Sequence, residues 1–309
     1  MTEAAVAEAA TLSPLDAGDV DEGRSLTSDA WRTMRSRPMF WVAAAMILVF
    51  VTMAVFPRLF TATDPALADL SRSRETPNAD AWFGRDRQGY DIFARCIYGA
   101  RASILVGLIA TVGTALIGGV VGITAGYVGG AWDAVLSRVG DIFFAIPLLL
   151  GAIIFLVSLP ELFSSSYILI VLKVALALVV LGWPSIARLI RSSVIQVKPN
   201  DYVQAARALG ASPLRIVRSH ILPNAVASVI VVSTINLGAF IAAEATLSYL
   251  GIGLQPPAIS WGIDISAATV GIRTTPHMLF FPSLFLSLAV LAFILLGDVV
   301  RDALDPKNR

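Results

Sequence analysis

The segment SILVGLIATVGTALIGGVVGITA, residues 103–125, contains no charged residue over a length that crosses a lipid bilayer. Roughly 20 apolar residues, rising about 1.5 Å each, span the ~30 Å hydrocarbon core of a membrane. The chain contains six segments of this kind. A single one is also compatible with a buried helix of a soluble core, but six in a row argue against a soluble fold, which needs polar faces. The predicted spans are 40–57, 102–125, 141–159, 167–190, 225–250 and 279–300.

Composition supports the same class of protein. Hydrophobic residues make up 56% of the chain and charged residues only 15%, with a mean hydropathy of +0.76. An ordinary soluble domain has about a quarter of its residues charged. The net charge of +1 gives no support for nucleic acid as a partner. Lipid offers no partner for backbone N–H and C=O groups, and the ~10-residue alternation of a barrel is missing from the sequence. The sequence therefore predicts an all-α integral membrane protein with six transmembrane helices.

The ends and the connections of the chain predict its topology. No basic residue precedes Arg24, so the first span is expected to stay in place as a signal anchor rather than to be cleaved. Residues 1–38 form the predicted N-terminal tail, disordered over 1–30, residues 39–300 the membrane domain and 301–309 a C-terminal tail. Of the 23 Lys and Arg residues, fourteen fall on the inner side and eight on the outer side if the N-terminus lies inside. This bias predicts that both termini are cytoplasmic.

A short basic segment, QAARALGASPLRIVRSHILPN at 204–224, stands between predicted spans four and five. Asn200-Asp201 offers a cap, and Gly210 stands where a helix ends in the left-handed region. Ser212-Pro213 then restarts the chain as N-cap and first helical residue. The segment 199–224 is therefore predicted to form a helix, a sharp corner and a second helix, closed by Pro223-Asn224 before span five.

Helical spacing assigns faces to the two helices of this segment. Tyr202, Ala206 and Leu209 recur on one face of the first helix, and the predicted apolar stripe of the second is Leu214, Val217 and Ile221. Two ordinary interpretations are a basic helix that lies on anionic headgroups and a plain connector. Small residues, Ala205 and Ala206, favour a third, in which another protein approaches the backbone closely.

This segment resembles the cytoplasmic "EAA" loop of the membrane subunits of ATP-binding-cassette importers. The resemblance rests on Gln204-Ala205-Ala206, Gly210 and Ile221-Leu222-Pro223, with Gln204 in place of the family's glutamate. The segments 83–107, 126–147, 244–262 and 297–309 are similar to those of dipeptide and oligopeptide permeases. Within 83–107, Tyr90 stands where an arginine is more usual and Arg85 where a threonine is. The resemblance, over nearly everything after residue 30, is to the C-type permease subunit of peptide importers.

The resemblance implies a type I importer permease fold in a bacterial cytoplasmic membrane, with half of an alternating-access path for di- or oligopeptides. It implies four kinds of partner: a homologous B-type permease, ATP-binding-cassette ATPase subunits, an extracytoplasmic peptide-binding protein and membrane lipid. Permeases for nickel, glutathione or another small solute share these motifs, and a membrane scaffold without transport activity is a weaker alternative.

The resemblance also implies roles for particular residues. The loops 58–101 and 251–278 are expected to meet the binding protein, with Arg85, Asp86 and Trp261 as contacts. The 199–224 loop is expected to form a coupling helix in a cleft of the ATPase. Its coupling residues are Asp201, Tyr202, Gln204, Ala205, Ala206, Arg207, Leu209, Gly210 and Arg215.

Charges inside the predicted spans are few: Lys173, Glu244 and Asp141. Each is expensive in hydrocarbon unless it is paired or faces water. Asp141 and Lys173 fall near span ends, where snorkelling or capping explains them. Glu244 falls deeper, with Asn236 two turns before it on the same face, and either binds a substrate amine or pairs with neighbouring groups.

Small residues and prolines mark the packing of the spans. Gly118, Gly122, Gly126 and Gly130 recur every four residues, which predicts a close helix contact either within the chain or between subunits. Pro147 and Pro184 predict kinks or a substrate-lining irregularity.

The sequence carries no motif for chemistry of its own. It has no Gly-rich phosphate loop followed by Lys and Ser or Thr, no His-Glu-x-x-His pair and no Gly-x-Ser-x-Gly elbow. The two histidines, His220 and His277, fall on opposite sides of the predicted membrane. We therefore expect no catalytic residue, metal site or cofactor in this chain, and ATP with Mg²⁺ on the partner ATPase subunits.

Overall fold

The structure, a computed structural model, describes residues 26–159 and 166–304. Throughout these two ranges the regular elements are helices, with one isolated antiparallel bridge between Arg85 and Asp91. The helices are α1 Leu26–Ser36, α2 Pro38–Val55, α3 Ile92–Val128, α4 Gly130–Ala145, α5 Leu148–Ser158, α6 Tyr167–Val197, α7 Asp201–Ala208, α8 Pro213–Ile216, α9 Leu222–Tyr249, α10 Trp261–Ala268 and α11 His277–Leu304. Short 3-10 turns cover Pro57–Leu59, Leu70–Arg72 and Thr269–Gly271, and a π turn covers Val217–Ile221.

Five of these helices are long and apolar enough to cross a membrane: α2, α3, α6, α9 and α11. They lie over five of the six predicted spans, so the all-α membrane class is confirmed. The third predicted span, 141–159, is broken at Pro147, where the sequence predicts a kink. It is divided into α4 and α5, which meet at an angle of 92°. Pro147 stands at the junction as N-cap of α5, where its missing N–H and fixed φ prevent α4 from continuing.

The ends of the chain differ from the predicted tails. Residues 26–30, predicted as disordered, belong to α1, while 1–25 lie outside the described residues. At the other end α11 continues to Leu304 and so includes the start of the predicted tail 301–309. Arg37, at the junction of α1 and α2, forms an ion pair with Asp302. This pair ties the first membrane helix to the last.

The glycine ridge of α3 packs within the chain, against α6. A Cβ at Gly122 would lie 2.5 Å from the Ala187 carbonyl oxygen, and one at Gly118 would lie 2.7 Å from the Trp183 carbonyl oxygen. Gly126 meets the next turn of α6 in the same way, 2.8 Å from Val194 Cβ. These three glycines therefore make their close helix contact within the chain rather than between subunits. Gly130 does not continue the ridge, because α4 begins there and no atom lies within 4 Å of its Cβ position.

A second core forms where α2, α3, α9, α10 and α11 meet. Phe50 stands edge-on to both Trp261 and Phe285, with ring centroids 5.8 and 6.2 Å away. Arg101 of α3 donates from Nε to the Ala54 carbonyl oxygen at 2.8 Å, and so satisfies one of the carbonyls left open at the end of α2. Aromatic burial and this cap fix the positions of the helix ends that lead into the connecting loops.

Candidate functional site

The segment between α6 and α9 folds as a corner that we name the knob, residues 199–216. Helix α7 ends in the left-handed residue Gly210, with φ of +80°. Ser212 accepts a hydrogen bond from the Arg215 N–H and Pro213 is the first residue of α8. The predicted helix, glycine corner and second helix are all present. The predicted stop at Pro223-Asn224 is absent, because the π turn 217–221 carries the helix on into α9.

The knob has a buried back and an exposed tip. Val203, Ile216 and Ile221 are buried to 1% exposure or less and pack on Ile190 and Val194 of α6. The predicted stripe of the second helix is therefore wrong in part: Leu214 is exposed, Val217 is half-buried and Ile216 takes the buried place. The face predicted for α7 points outward, with Ala206 half-buried between exposed neighbours.

Two leucines form the tip. Leu209 is 89% exposed and Leu214 is 66% exposed, one on each side of the glycine corner. Tyr202 is also exposed, as are the coupling candidates Asp201, Gln204, Ala205, Arg207 and Arg215. A leucine this exposed stabilises nothing within the chain, so its apolar surface is available to a partner.

Side-chain contacts hold the knob rigidly against the membrane helices. Gln204 Nε2 donates to the Lys198 carbonyl oxygen at 2.9 Å, and Lys198 Nζ donates to the Tyr127 carbonyl oxygen at 2.7 Å. The residue at 204 therefore fastens α7 to the end of α6 through an amide, which needs no carboxylate. A push on the tip is expected to move the end of α6 with it.

Glu244 is fully buried near the opposite end of the bundle. Ser248 Oγ donates to Glu244 Oε1 at 2.7 Å and accepts from the Leu254 N–H at 2.9 Å. The hydroxyls of Ser103 and Ser260 lie beside the same carboxyl group. In the described parts of the chain, neither Glu244 Oε2 nor Ser103 Oγ has a hydrogen-bond partner. Glu244 thus lies buried among serine hydroxyls from α3, α9 and the start of α10, which favours the structural alternative.

Asn236 does not share a site with Glu244. It is half-buried and lies eight residues earlier on α9, which is about 12 Å along a helix axis. The predicted pair is therefore two separate positions.

The three residues predicted to contact the binding protein differ in how deeply they are buried. Trp261 is fully buried, and its Nε1 donates to the Cys96 carbonyl oxygen at 2.8 Å, so it supports the fold of the loop. Arg85 is 13% exposed and donates from Nη1 to the Gly89 carbonyl oxygen at 2.9 Å. Asp86 is half-buried, and its Oδ1 accepts from the Gln88 and Tyr90 N–H groups. Arg87 and Gln88 are exposed beside it.

One ion pair joins the start of α3 to α10 and was not predicted. Arg95 Nε donates to Asp264 Oδ1 at 2.7 Å, and both side chains are nearly buried. Burial raises the pKa of the Asp264 carboxyl, against the opposing effect of Arg95. In the sequence, the pair appears only as one basic residue in the predicted loop 58–101 and one acidic residue in 251–278. Charged residues are common in loops, so this signal was too weak to predict the pair.

A bundle of membrane helices with an exposed knob fastened to one end is typical of a membrane subunit that docks a partner at that end. The family described as "Binding-protein-dependent transport system inner membrane component" matches residues 118–309, and the "N-terminal TM domain of oligopeptide transport permease C" matches 25–78. The chain belongs to the binding-protein-dependent inner membrane component family of ATP-binding-cassette importers.

Similar proteins cover nearly the whole chain. The oligopeptide transport system permease protein OppC of Bacillus subtilis (strain 168) is 38% identical over 95% of both chains. The dipeptide transport system permease protein DppC of the same organism is 37% identical over 92% of this chain and 87% of its own length. The glutathione transport system permease protein GsiD of Escherichia coli O1:K1 / APEC is 36% identical over 93% of this chain and 92% of its own. A solved structure of the MetNI methionine ABC transporter in an inward-facing conformation has the same fold, with a TM-score of 0.55, 21% identity, and coverage of 68% of this chain and 96% of that one.

Proposed function

We propose that this chain is the permease subunit of an ATP-driven peptide importer and forms half of the translocation path. The exposed leucine tip on a rigid, buried back is the single observation that carries the proposal. A helix that lies on headgroups buries its leucines in lipid and needs no fastening to the span beside it. Here Leu209 and Leu214 project from a corner that Gln204 and Lys198 fasten to the membrane helices.

In this proposal the partners divide the remaining tasks. ATPase subunits bind ATP and Mg²⁺ and receive the tip, a homologous B-type permease completes the path, and an extracytoplasmic binding protein meets the outer loops. The exposed Arg87 and Gln88, beside Asp86, mark the proposed contact for that protein, while the buried Trp261 lies beneath it. Both termini and the knob are cytoplasmic, which agrees with the excess of Lys and Arg on that side.

The peptide substrate rests on the names of the OppC and DppC relatives. Glutathione is a second candidate, because the GsiD relative matches nearly the same share of the chain at almost the same identity. Competition between a labelled dipeptide and glutathione for uptake by the assembled importer distinguishes the two.

The coupling proposal is tested by placing charges on the tip. Leu209→Asp and Leu214→Asp should leave the fold unchanged, because both side chains are exposed. They should weaken ATPase association about tenfold or more, since a buried leucine contributes roughly 1.5–3 kcal/mol. Co-purification with the ATPase subunits, and ATPase activity stimulated by the loaded binding protein, report the effect.

Leu70→Asp is the matched control, because Leu70 is 74% exposed on an outer loop. It should leave ATPase association unchanged. If the segment instead lies on headgroups, replacing Arg215 and Arg218 by Gln should lower uptake in proteoliposomes of anionic lipid, while the leucine variants transport normally. Normal association and uptake in both leucine variants would rule out the coupling proposal.

A further inference from the structure

The broken span α4–α5 bends beside the middle of α6. Its two helices run beside α6: Asp133 pairs with Arg191 near the inner end, and a Cβ at Gly140 would lie 3.8 Å from Pro184 Cβ. A Cβ at Gly151, just past the break, would lie 3.0 Å from Leu181. Leu181 is the fifteenth of the 31 residues of α6, so the break lies about halfway along that helix.

Backbone that is not helical at this depth has few permitted surroundings. In hydrocarbon, unpaired N–H and C=O groups are tolerated only where protein covers them or where they line a water-filled cavity. Ile146 is 39% exposed and Pro147 is exposed in this chain, so the chain itself does not cover the break. Protein or water is therefore the expected neighbour of this surface.

A cavity of about 280 Å³ opens between α3, α4 and α6, on the α4 side of the break. Gly122 and Ala125, from the last turns of the charge-free segment of α3, form one wall, and Trp183 and Pro184 form another. Polar lining comes from Ser137, Asp141, Arg188 and Arg191. Polar and charged side chains gathered in one cavity wall favour water or a charged group as its contents.

The charges around this cavity do not cancel. Arg191 donates from Nη2 to Asp133 Oδ2 at 2.7 Å, and Arg188 donates from Nη2 to Asp141 Oδ1 at 3.1 Å. These two pairs are neutral. Arg138 remains, 85% exposed and 3.8 Å from Asp141, and adds one positive charge at the edge of the cavity.

We propose that this cavity is a hydrated station on the translocation path, and that Arg138 and Arg188 there receive a carboxylate of the transported solute. The proposal rests on the proposed function for the solute, since both peptides and glutathione carry free carboxylates. Aromatic walls at Trp183 and at Phe144, whose ring lies 4.3 Å from the Arg188 guanidinium carbon, leave apolar surface for a side chain beside the anion site.

Thiol labelling tests the cavity without any transport. In purified protein that carries Cys96→Ala, Ser137→Cys places a thiol in the cavity wall, and Val135→Cys places one on the opposite face of the same helix. The anionic reagent sulfonatoethyl methanethiosulfonate should modify Ser137→Cys faster than the cationic trimethylammonium-ethyl reagent, on the order of tenfold for one nearby unit charge. Val135→Cys should show no such preference.

Arg138→Gln sharpens the test, because it removes the excess charge and leaves both ion pairs in place. The preference of Ser137→Cys for the anionic reagent should disappear. An unreactive Ser137→Cys, equal rates with the two reagents, or a preference that survives Arg138→Gln would each overturn the proposal.

Transport in the assembled importer tests the ligand class. Arg138→Gln should lower uptake of Ala-Ala several-fold more than uptake of its C-terminal amide, and an equal reduction of both would overturn the carboxylate assignment. If the wild-type importer takes up neither compound, the proposed peptide function fails, while the labelling rates still decide whether the cavity is hydrated and positive.

Discussion

Gly122→Ala tests the seam between α3 and α6, on which the position of the knob depends. The added Cβ would lie 2.5 Å from the Ala187 carbonyl oxygen and 2.9 Å from Ile190 Cβ, where ordinary contact begins at 3.4 Å. Both neighbours are on or next to the helix backbone, so side-chain rotation cannot relieve the contact. The two helices must separate by about 0.9 Å, the difference between 3.4 and 2.5 Å.

The free energy of this change follows from two opposing effects. Overpacking of this kind destabilises a core by roughly 1–3 kcal/mol. Replacing glycine by alanine in a helix stabilises the folded protein by about 0.5–1 kcal/mol. Gly119→Ala isolates the second effect, because its Cβ would meet only Ile190 Cδ1, at 3.8 Å. The unfolding midpoint of Gly122→Ala in detergent should therefore fall roughly 5 °C below that of Gly119→Ala.

Thermal unfolding of both variants, followed by near-ultraviolet circular dichroism, measures the difference. Stimulated ATPase activity of the assembled importer should fall with Gly122→Ala as well, since the displaced end of α6 carries the knob. Equal midpoints for the two variants would refute the intrachain seam, and a midpoint lowered only in the presence of a second permease would indicate an intersubunit contact instead.

Three further outcomes are expected. Gly210→Val should lose stimulated ATPase activity and uptake, whereas Gly210→Asn should retain them. The φ of +80° strains a β-branched residue by about 1–2 kcal/mol and suits Asn. Equal activity of the two variants would contradict the need for a left-handed residue at this corner. Glu244→Gln should keep the Ser248 hydrogen bond and unfold near the wild-type midpoint, whereas Glu244→Ala should be destabilised by about 1–3 kcal/mol; impaired uptake in a stable Glu244→Gln would return this residue to the path. In a Cys96→Ala background, Arg87→Cys should react with an impermeant thiol reagent on intact cells and Arg215→Cys should not; equal labelling would contradict cytoplasmic termini.

The membrane helices were predictable because hydrocarbon offers the backbone no hydrogen-bond partners, so a spanning segment must be helical. A charge-free stretch such as 103–125 has one stable form in hydrocarbon, and its length fixes that it spans. The angle at Pro147 was not predictable. Proline removes a hydrogen bond and ends the regular ladder, but the packing of Gly151 on Leu181, a contact between residues far apart in sequence, decides where the next helix points.

In the knob, too, the local backbone features were predictable and the packing was not. Its corner was predictable from Gly210, Ser212 and Pro213, whose backbone preferences are local. The buried face of its second helix was not. The π turn 217–221 brings Ile216 and Ile221, five residues apart, to one side, whereas an α-helical period would have buried Leu214 with Ile221.

One helix connects the parts on which the proposed transport cycle depends. The inner third of α6 packs through Ile190 and Val194 on the back of the knob, and its middle packs through Leu181 on the broken span. It is one helix from Tyr167 to Val197, so a displacement at one end is expected to move the whole helix. The soft point is then the 92° junction at Ile146–Pro147, where no helical ladder resists a change of angle. Movement of the knob is thus expected to change the cavity beside that junction before it changes any contact at the outer loops, because those loops are fixed by Trp261 and by the Arg95–Asp264 pair.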